Sequence, residues 1–322
     1  MKKSTVRKFV SSKLFTLLLL LIIVFITFTV ISNGAFIKPR NIRNIFNGMV
    51  ITLILTAGAG YLLISGQIDL STGAIGTMSG VIFAKFIEMG AIWPIALIIA
   101  FVFAAVAGFI NAFFINRFRL QGFIVTMAVA SALTGLTYVA TGGLSVPIRN
   151  VFIEYIGTKM IWNIVPISTL LAAFVFVVYA IILAKTSFGM QVYLIGGNPT
   201  AARLAGLNPT RVSYVLFINN ALLGALAGCL LTARMKSATT TGIAGSQFAG
   251  ITAAILGGVS FGGGSGSLFG AFVGLLVINA FNNGMSVVGI NTYWQSFASG
   301  TLLLVALTFD YINVKRSLVR KG

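Results

Sequence analysis

The feature that most constrains the fold of this chain is a series of apolar runs, most of them long enough to cross a lipid bilayer. The runs are separated by glycine, proline or charged residues and lie near 14–33, 49–64, 72–88, 93–116, 121–141, 163–184, 212–234, 248–260, 266–282 and 294–311. A helix of about 20 apolar residues spans the hydrocarbon core, and lipid offers the backbone no hydrogen-bond partner. The pattern therefore predicts an all-α integral membrane protein with about ten transmembrane helices.

Two regions do not suit straight transmembrane helices. Residues 49–64 and 248–282 are short or crowded with glycine, so we expect short or broken helices there. Pairs of small residues four positions apart indicate close helix packing in lipid. They are Gly76 with Gly80, Ala104 with Gly108, Gly224 with Gly228, and Gly270 with Gly274.

The charged residues flank the apolar runs rather than forming a nucleic-acid surface. Only 8% of the residues are charged, and 22 Lys and Arg face four acids. The cations before the first run are Lys2, Lys3, Arg7, Lys8 and Lys13, and those after the last are Lys315, Arg316, Arg320 and Lys321. Such clusters are typical of cytoplasmic anchors, so nucleic acid is not expected as a partner and lipid is.

The same cations predict the orientation of the chain in its membrane. With both termini in the cytoplasm, 14 of the 22 cations lie on that side, as the positive-inside rule favours. The loop with Lys38, Arg40 and Arg43 disagrees. We expect a basic N-terminus (1–13), a single transmembrane domain (14–311) with an uncleaved first span and a cytoplasmic loop (185–211), and a basic C-terminus (312–322).

Several chemistries are excluded by missing residue types. Cys229 is the only cysteine and there is no histidine, so neither a disulfide framework nor a Cys/His metal site can form. No charged residue occurs between Lys236 and Asp310, so the glycines at 257–266 lack the lysine of a phosphate-binding loop. We therefore expect no catalytic residue, metal or cofactor in this chain.

The cytoplasmic loop contains a short capped helix. Asn198 suits an N-cap, Pro199 the first helical position, and Gly206 a left-handed C-cap. The helical body contains Ala201, Ala202, Arg203 and Leu204. Because a helix of about two turns is marginal alone, it needs a surface to pack on, either its own helix bundle or another protein.

A polar interruption follows the second apolar run and contains Gln67, Asp69 and Ser71. An ionisable side chain at a break in the membrane is costly unless it is paired or hydrated, or caps a helix. Asp69 is therefore interpreted either as a cap for the helix that starts near Leu70–Gly73 or as a group that contacts solute or gates a pathway.

Uncharged polar and aromatic side chains in later spans suggest a pathway for a neutral solute. The candidates are Gln247, Phe248, Asn282, Asn283 and Trp294, each of which can also serve only in helix packing. Between two of these spans, Gly257, Gly258, Gly263, Gly264 and Gly266 predict a tight structural turn.

Three segments together resemble a known family. They are the loop helix at 198–206, Gly66–Gly73, and the turn at 257–267, and they resemble the binding-protein-dependent sugar permeases of the ribose, xylose and galactose type, relatives of the branched-chain amino acid permeases. The resemblance implies a permease subunit of a type II ATP-binding-cassette importer, working as a homo- or heterodimer with a cytoplasmic ATPase and an extracytoplasmic solute-binding protein. It also implies that residues 198–206 dock on the ATPase, which would hold ATP and Mg²⁺, and that the glycine turn forms an inner gate or approaches the ATPase.

One departure from that family leaves the solute open. The family commonly has an acidic pair before the glycine turn, where this chain has Ser246 and Gln247. Non-sugar solutes such as a nucleoside, an autoinducer or an amino acid are therefore alternatives. So is an ion-coupled secondary transporter that uses Asp69, whereas an enzyme is not expected.

Overall fold

The structure is a computed structural model that describes residues 13–161, 165–298, 300, 301, 304 and 308. The predicted basic termini, apart from Lys13, lie outside the described residues, as does much of the predicted last span. Within the described part the chain is mostly helical, in agreement with the predicted all-α class.

Twelve α-helices form the described fold together with four very short strands. The helices are α1 (Lys13–Ile31), α2 (Pro39–Ile64), α3 (Thr72–Glu88), α4 (Trp93–Phe118), α5 (Gly122–Thr141), α6 (Val151–Thr158), α7 (Ile167–Lys185), α8 (Ser187–Gly197), α9 (Pro199–Leu204), α10 (Pro209–Met235), α11 (Ser246–Leu256) and α12 (Leu268–Val287). Residues 292–298 are also helical. The strands β1 (Val146–Pro147) and β4 (Ser237–Ala238) pair antiparallel, as do β2 (Met160–Ile161) and β3 (Val165–Pro166).

Seven of the described helices are long and apolar enough to cross a membrane, namely α1, α2, α4, α5, α7, α10 and α12. The helix α3, with 17 residues, and α11, with 11, are shorter. Helix α2 is packed against α7, α10, α11 and α12, and α10 against α2, α3 and α4, so these two helices form the centre of the bundle. We call the end of the bundle that carries residues 186–208 the Asn198 face, and the end that carries residues 144–161 the Glu154 face.

The expected break within 49–64 is wrong. Residues 39–64 form one continuous helix of 26 residues, in spite of Gly48, Gly58 and Gly60. It begins at Pro39, whose fixed φ suits the first helical position, and its glycines lie against side chains of neighbouring helices. Tertiary packing therefore outweighs the weak helix propensity of glycine here.

The expectation of short helices within 248–282 is confirmed for α11, whereas α12 is continuous over 20 residues. The 11 residues of α11 rise about 16 Å, roughly half of the hydrocarbon core. The chain reaches α11 through an irregular segment whose Ile243 amide donates to Thr77 Oγ1 (3.1 Å). Irregular backbone at membrane depth is thus satisfied by the protein rather than exposed to lipid.

The four small-residue pairs lie at helix contacts, as expected. An ideal Cβ built on Gly76 would lie 2.4 Å from Gly224 O, and one built on Gly228 would lie 1.8 Å from Gly76 O. Gly108 meets α10, and Gly274 meets α11 through Ala253 O. Any side chain at these positions would separate the helices, so backbones approach closely at the centre of the bundle.

Two features of the bundle were not predicted. Helix α6 lies at the Glu154 face, where Gly157 packs on Ala233 and Glu154 forms an ion pair with Lys236 (2.7 Å). The single cysteine, Cys229, is buried between α10 and α3 with its Sγ 3.8 Å from Ser79 O.

Candidate functional site

The non-helical break at residues 65–71, between α2 and α3, turns back into the membrane. Gly66 has φ +77°, a left-handed conformation that glycine adopts without strain. Asn220, which bonds to the break, lies against Gly58, six residues from the end of α2. At the rise of an α-helix, the break therefore reaches about 9 Å inside the Asn198 face.

Asp69 is buried at this depth, with 4% of its surface exposed. Its Oδ1 accepts hydrogen bonds from Ser71 N (2.7 Å) and Ser71 Oγ (2.6 Å), and its Oδ2 accepts one from Asn220 Nδ2 (2.9 Å). These bonds compensate the cost of removing a carboxylate from water. The N-cap of α3 is Ser71, whose own side chain makes no cap bond. Asp69 thus stabilises the helix start from two residues before the N-cap rather than as the N-cap itself.

Three neighbouring helices contribute polar side chains to the break. Asn111 of α4 donates to Ser71 Oγ (2.7 Å), Thr126 of α5 accepts from the Leu70 amide (3.1 Å), and Asn220 belongs to α10. The amide oxygens of Asn111 and Asn220 are buried and have no hydrogen-bond partner among the described residues. The break is therefore held by a polar network that joins α3, α4, α5 and α10.

A cavity of about 610 Å³ lies beside this network, between α5 and the start of α11. None of the described residues that line it carries a charge; they are Leu70, Phe123, Met127, Ala130, Ser131, Thr134, Gln247 and Phe248. Phe123 and Phe248 are about half exposed, so the cavity is open on one side. The structure thus brings Gln247 and Phe248 to one cavity, next to the break that contains Asp69.

Gln247 stands at the back of this cavity. Its Oε1 is buried without a hydrogen-bond partner in the described part of the chain, and an ideal Cβ on Gly73 would lie only 2.1 Å from it. The side chain is thus pressed against the first turn of α3. Gln67, by contrast, accepts a hydrogen bond from Ser213 Oγ (3.0 Å) and does not line the cavity.

The other proposed pathway residues do not line this cavity. Asn283, near the end of α12, accepts a hydrogen bond from Asn41 Nδ2 (2.8 Å) at the start of α2, which is the end toward the Glu154 face. Asn282 precedes it on the same helix, and Trp294 is 62% exposed beside Phe297. Asn282 and Asn283 thus lie most of the length of α12 away from the glycine turn, and the pathway role of Asn282, Asn283 and Trp294 stays a prediction.

The loop at 185–211 contains two helices, α8 and α9, rather than the single small helix expected. Thr186 caps α8 by accepting from Gly189 N (3.2 Å). Asn198 caps α9 as predicted, accepting from the amides of Thr200 and Ala201 (both 3.0 Å), with Pro199 at the first position. We call α8 and α9 together the coupling segment, after the docking role that the resemblance implies for residues 198–206.

The far end of α9 also follows the capping expectation, one residue displaced. Ala205 is the C-cap, and Gly206 beyond it has φ +83°. Within α9 only Ala202 is buried, whereas Ala201 and Arg203 are exposed and Leu204 is 87% exposed. The helix therefore packs on the bundle through one small residue and presents its larger side chains outward.

The turn at 257–267 has the positive φ angles that its glycines predict. Gly258 has φ +91° and Gly266 has φ +132°, and an ideal Cβ on Gly257 would meet Gly270 O at 2.4 Å. Tyr193 of the coupling segment donates to Gly266 O (2.8 Å). Burial raises the pKa of the Tyr193 hydroxyl, which keeps it a donor to this carbonyl.

Three backbone segments meet at what we call the glycine junction, formed by Gly66, Gly196, Gly263 and Gly264. An ideal Cβ on Gly196 would lie 1.8 Å from Ile64 O and 2.7 Å from Gly264 N, and one on Gly263 would lie 3.0 Å from Gly66 Cα. Gly264 N also donates to Ile64 O (2.8 Å). The junction therefore connects the coupling segment and the glycine turn directly to the end of α2, where the break begins.

Sequence reasoning missed the hydroxyl residues of α5 at this site. Ser131 and Thr134 line the cavity, but each donates to a backbone carbonyl four residues earlier, as hydroxyl residues commonly do in helices. Such residues occur throughout apolar helices, so the sequence held no signal that distinguished them. What distinguishes them is their exposure beside the cavity, which requires the fold.

Comparison with known families agrees with this arrangement. The family model described as the permease component of a branched-chain amino acid transport system matches residues 41–307. The chain belongs to this permease family. It is a multi-pass membrane protein, and the expected resemblance to importer permeases is confirmed.

Curated relatives cover most of the chain. The ribose import permease protein RbsC of Bacillus subtilis is 34% identical over 284 residues, 87% of each chain. The probable ABC transporter permease protein YphD of Escherichia coli is 31% identical, covering 98% of this chain and 95% of its own. The xylose transport system permease protein XylH of Haemophilus influenzae is 27% identical, with coverages of 96% and 99%. No solved structure matches the chain at a significant level. All three relatives are named as permeases, which agrees with a transport subunit rather than an enzyme.

Proposed function

We propose that this chain is the permease subunit of an ATP-binding-cassette importer and forms half of the pathway for a monosaccharide. The observation that carries the proposal is the glycine junction, which connects an exposed, capped helix on one face to the break beside the cavity. A permease in which movement of α9 opens or closes a solute pathway needs such a connection between the two. Relatives named for ribose and xylose transport support the solute class.

The lining of the cavity favours a neutral solute. It offers an amide, two hydroxyls and two aromatic rings, and no charged side chain. A sugar presents hydroxyls for hydrogen bonds and an apolar face for packing on rings. An amino acid carries two charges that would enter this site unpaired, at a high desolvation cost. The solute class therefore follows the ribose and xylose relatives rather than the amino acid description of the family.

The partner ATPase is proposed to dock on α9. Leu204 and Arg203 project from the Asn198 face, and a short helix with an exposed Leu gains stability when a partner covers it. The ATPase would hold ATP and Mg²⁺ and drive the movement of the coupling segment. A solute-binding protein is proposed to deliver the sugar at the Glu154 face.

The pathway is proposed to be completed by a second permease chain. Helix α5 is long and apolar but mostly exposed, and it forms one wall of a cavity that is open on one side. A two-fold partner that presents the same helix would close the cavity and cover this face.

We further propose that the Asn198 face and both termini are cytoplasmic in the inner membrane, because the cation clusters before α1 and after the last span then follow the positive-inside rule.

The docking role is tested by charge reversal at Arg203 in the assembled importer in proteoliposomes. We expect Arg203→Glu to abolish solute-stimulated ATP hydrolysis while insertion in the membrane is unchanged. Arg119→Glu is the matched control, since Arg119 is exposed on the same face between α4 and α5. Equal stimulated hydrolysis by the two variants, with uptake intact, would contradict docking at α9.

The solute class and the pathway are tested by uptake measurements. We expect Gln247→Ala to raise the apparent KM for ribose or xylose, and leucine not to compete. Uptake driven by an ion gradient without the ATPase would instead support a secondary transporter.

For the dimer, Ser131→Cys adds one accessible thiol, because Cys229 is buried. A cross-linked dimer is expected, and its absence alongside intact transport would count against pairing through α5.

A further inference from the structure

A second concave site lies on the surface of the bundle, away from the solute cavity. It is a groove of about 520 Å³ between α7 and α12, with Leu53 of α2 at its floor. It shares no lining residue with the cavity near Asp69. Phe174, Val177 and Ile181 are exposed on the adjoining face of α7, so the groove opens toward lipid rather than toward a pathway.

The groove has the depth of one bilayer leaflet. Its lining on α7 extends from Ala173 to Lys185, a rise of about 18 Å. Leu53 lies 11 residues before the end of α2, which places the floor about 16 Å from the Asn198 face. Half of a roughly 30 Å hydrocarbon core is about 15 Å. The groove therefore starts at the membrane surface and ends near the bilayer midplane.

Charge and polarity are confined to the surface end of the groove. Among the described residues that line it, Lys185 is the only charged one, and no described carboxylate lies within ion-pair distance of its ammonium. Tyr193 and Ser267 lie at the same end; the Tyr193 hydroxyl donates to Gly266 O, and the Ser267 oxygen accepts from the amide of Gly270. The remaining wall is hydrocarbon. An apolar slot with one exposed, unpaired cation at the headgroup level complements an amphiphile with a negative head.

We propose that this groove binds an acyl chain of an anionic phospholipid from the leaflet at the Asn198 face, with Lys185 facing the headgroup phosphate. The occupant is a phospholipid because the slot is apolar through the depth of a leaflet, and it is anionic because the cation at the rim is otherwise unpaired. The site is independent of the proposed transport function, since it rests on the groove and Lys185 alone.

The site is tested with the purified full-length chain in mixed-lipid nanodiscs or detergent, using phosphatidylglycerol and phosphatidylcholine as probes and native mass spectrometry as the readout. We expect the wild-type chain to retain phosphatidylglycerol over phosphatidylcholine. Lys185→Gln should weaken phosphatidylglycerol retention at least fivefold, because it removes the cation that faces the headgroup phosphate. Lys185 is exposed, so its loss leaves the fold intact. Lys85→Gln, which removes a cation near the opposite face, is the charge-matched control and should retain it.

Filling the groove gives an independent test. Ala180→Trp should reduce retention of both lipids, whereas Ala105→Trp should not. Ala105 lies in a separate apolar depression of about 370 Å³ on α4 that has no cation in its lining. No preference for phosphatidylglycerol, or equal retention by Lys185→Gln and Lys85→Gln, would overturn the proposal. It would also be overturned if Ala180→Trp changed the oligomeric state but not lipid retention, because the groove would then be a protein interface.

Discussion

Substitution of Gly196 by alanine is expected to uncouple the coupling segment from the bundle. An ideal Cβ at this position lies 1.8 Å from Ile64 O, and real Cβ atoms essentially never approach below 3.0 Å. The backbone of α8 must therefore move by more than about 1 Å. Overpacking of this kind costs about 1–3 kcal/mol. A coupling free energy reduced by that amount corresponds to about a 5- to 150-fold weaker equilibrium coupling between the two sites, and solute-stimulated ATP hydrolysis should fall with it.

Gly197→Ala is the matched control, one residue away in the same helix. Its ideal Cβ meets only Gly264 Cα, at 3.9 Å, which is ordinary contact. Both variants would be assembled with the ATPase in proteoliposomes and assayed for basal and stimulated hydrolysis, with thermal unfolding of the permease measured in parallel. We expect Gly196→Ala alone to lose stimulation while it still binds the ATPase. If both variants keep full stimulation, the glycine junction does not transmit movement.

Three further substitutions test the packing and the polar network. Gly228→Ala should lower the free energy of unfolding by about 1–3 kcal/mol, because α3 and α10 must separate. Gly135→Ala, whose Cβ meets nothing within 4 Å, should leave stability unchanged or raise it by up to about 1 kcal/mol; equal melting temperatures of the two variants would contradict this. In Asp69→Asn, the new NH₂ group faces a donor, either Asn220 Nδ2 or the Ser71 amide, so at least one hydrogen bond is lost. We expect stability about 1–3 kcal/mol lower in thermal unfolding, with ATP-driven uptake slowed but present. Wild-type stability would refute the network. Asn198→Ala removes two cap bonds, so we expect the stability of α9 to fall by about 0.5–2 kcal/mol and amide exchange in its first turn to accelerate. Unchanged exchange would argue against the cap.

Local features of the site could be predicted from the sequence because their physics is local. Asn198 and Gly206 serve at or next to the ends of α9 through bonds to backbone atoms only a few residues away, and Pro199 suits the first position through its fixed φ. The glycines at 258 and 266 have the positive φ angles that a tight turn requires. No distant partner is needed for either result.

Features that depend on distant contacts could not be predicted. The glycines of α2 suggested a break, but neighbouring helices fill the space beside them and the helix continues. Asn111 and Asn220 are recognisable as polar residues in apolar spans, yet nothing in their spacing indicates that both reach the break at residues 65–71. Asn283 has the same signal and lies elsewhere. An amide side chain in a membrane span therefore indicates that a polar contact exists, but it does not identify the partner.

Helix α8 was missed for a related reason. Gly189, Gly196 and Gly197 lower its intrinsic helix propensity, so its sequence is typical of a loop. In the fold, Gly189 lies against Leu183 O, where a Cβ would be only 2.1 Å away, and Gly196 is required at the junction. These glycines are present for close backbone approach, a use that propensity does not represent.

The glycine junction also separates two properties of the chain, its mechanical connection and its recognition of a partner. Its contacts are made by backbone atoms, whereas the surface of α9 offered to a partner is made by side chains such as Arg203 and Leu204. Under the docking proposed for α9, the side chains that contact the ATPase can therefore be exchanged without altering the backbone contacts behind them. A chimaera that carries the exposed α9 side chains of another permease should recruit that permease's ATPase and still drive this pore.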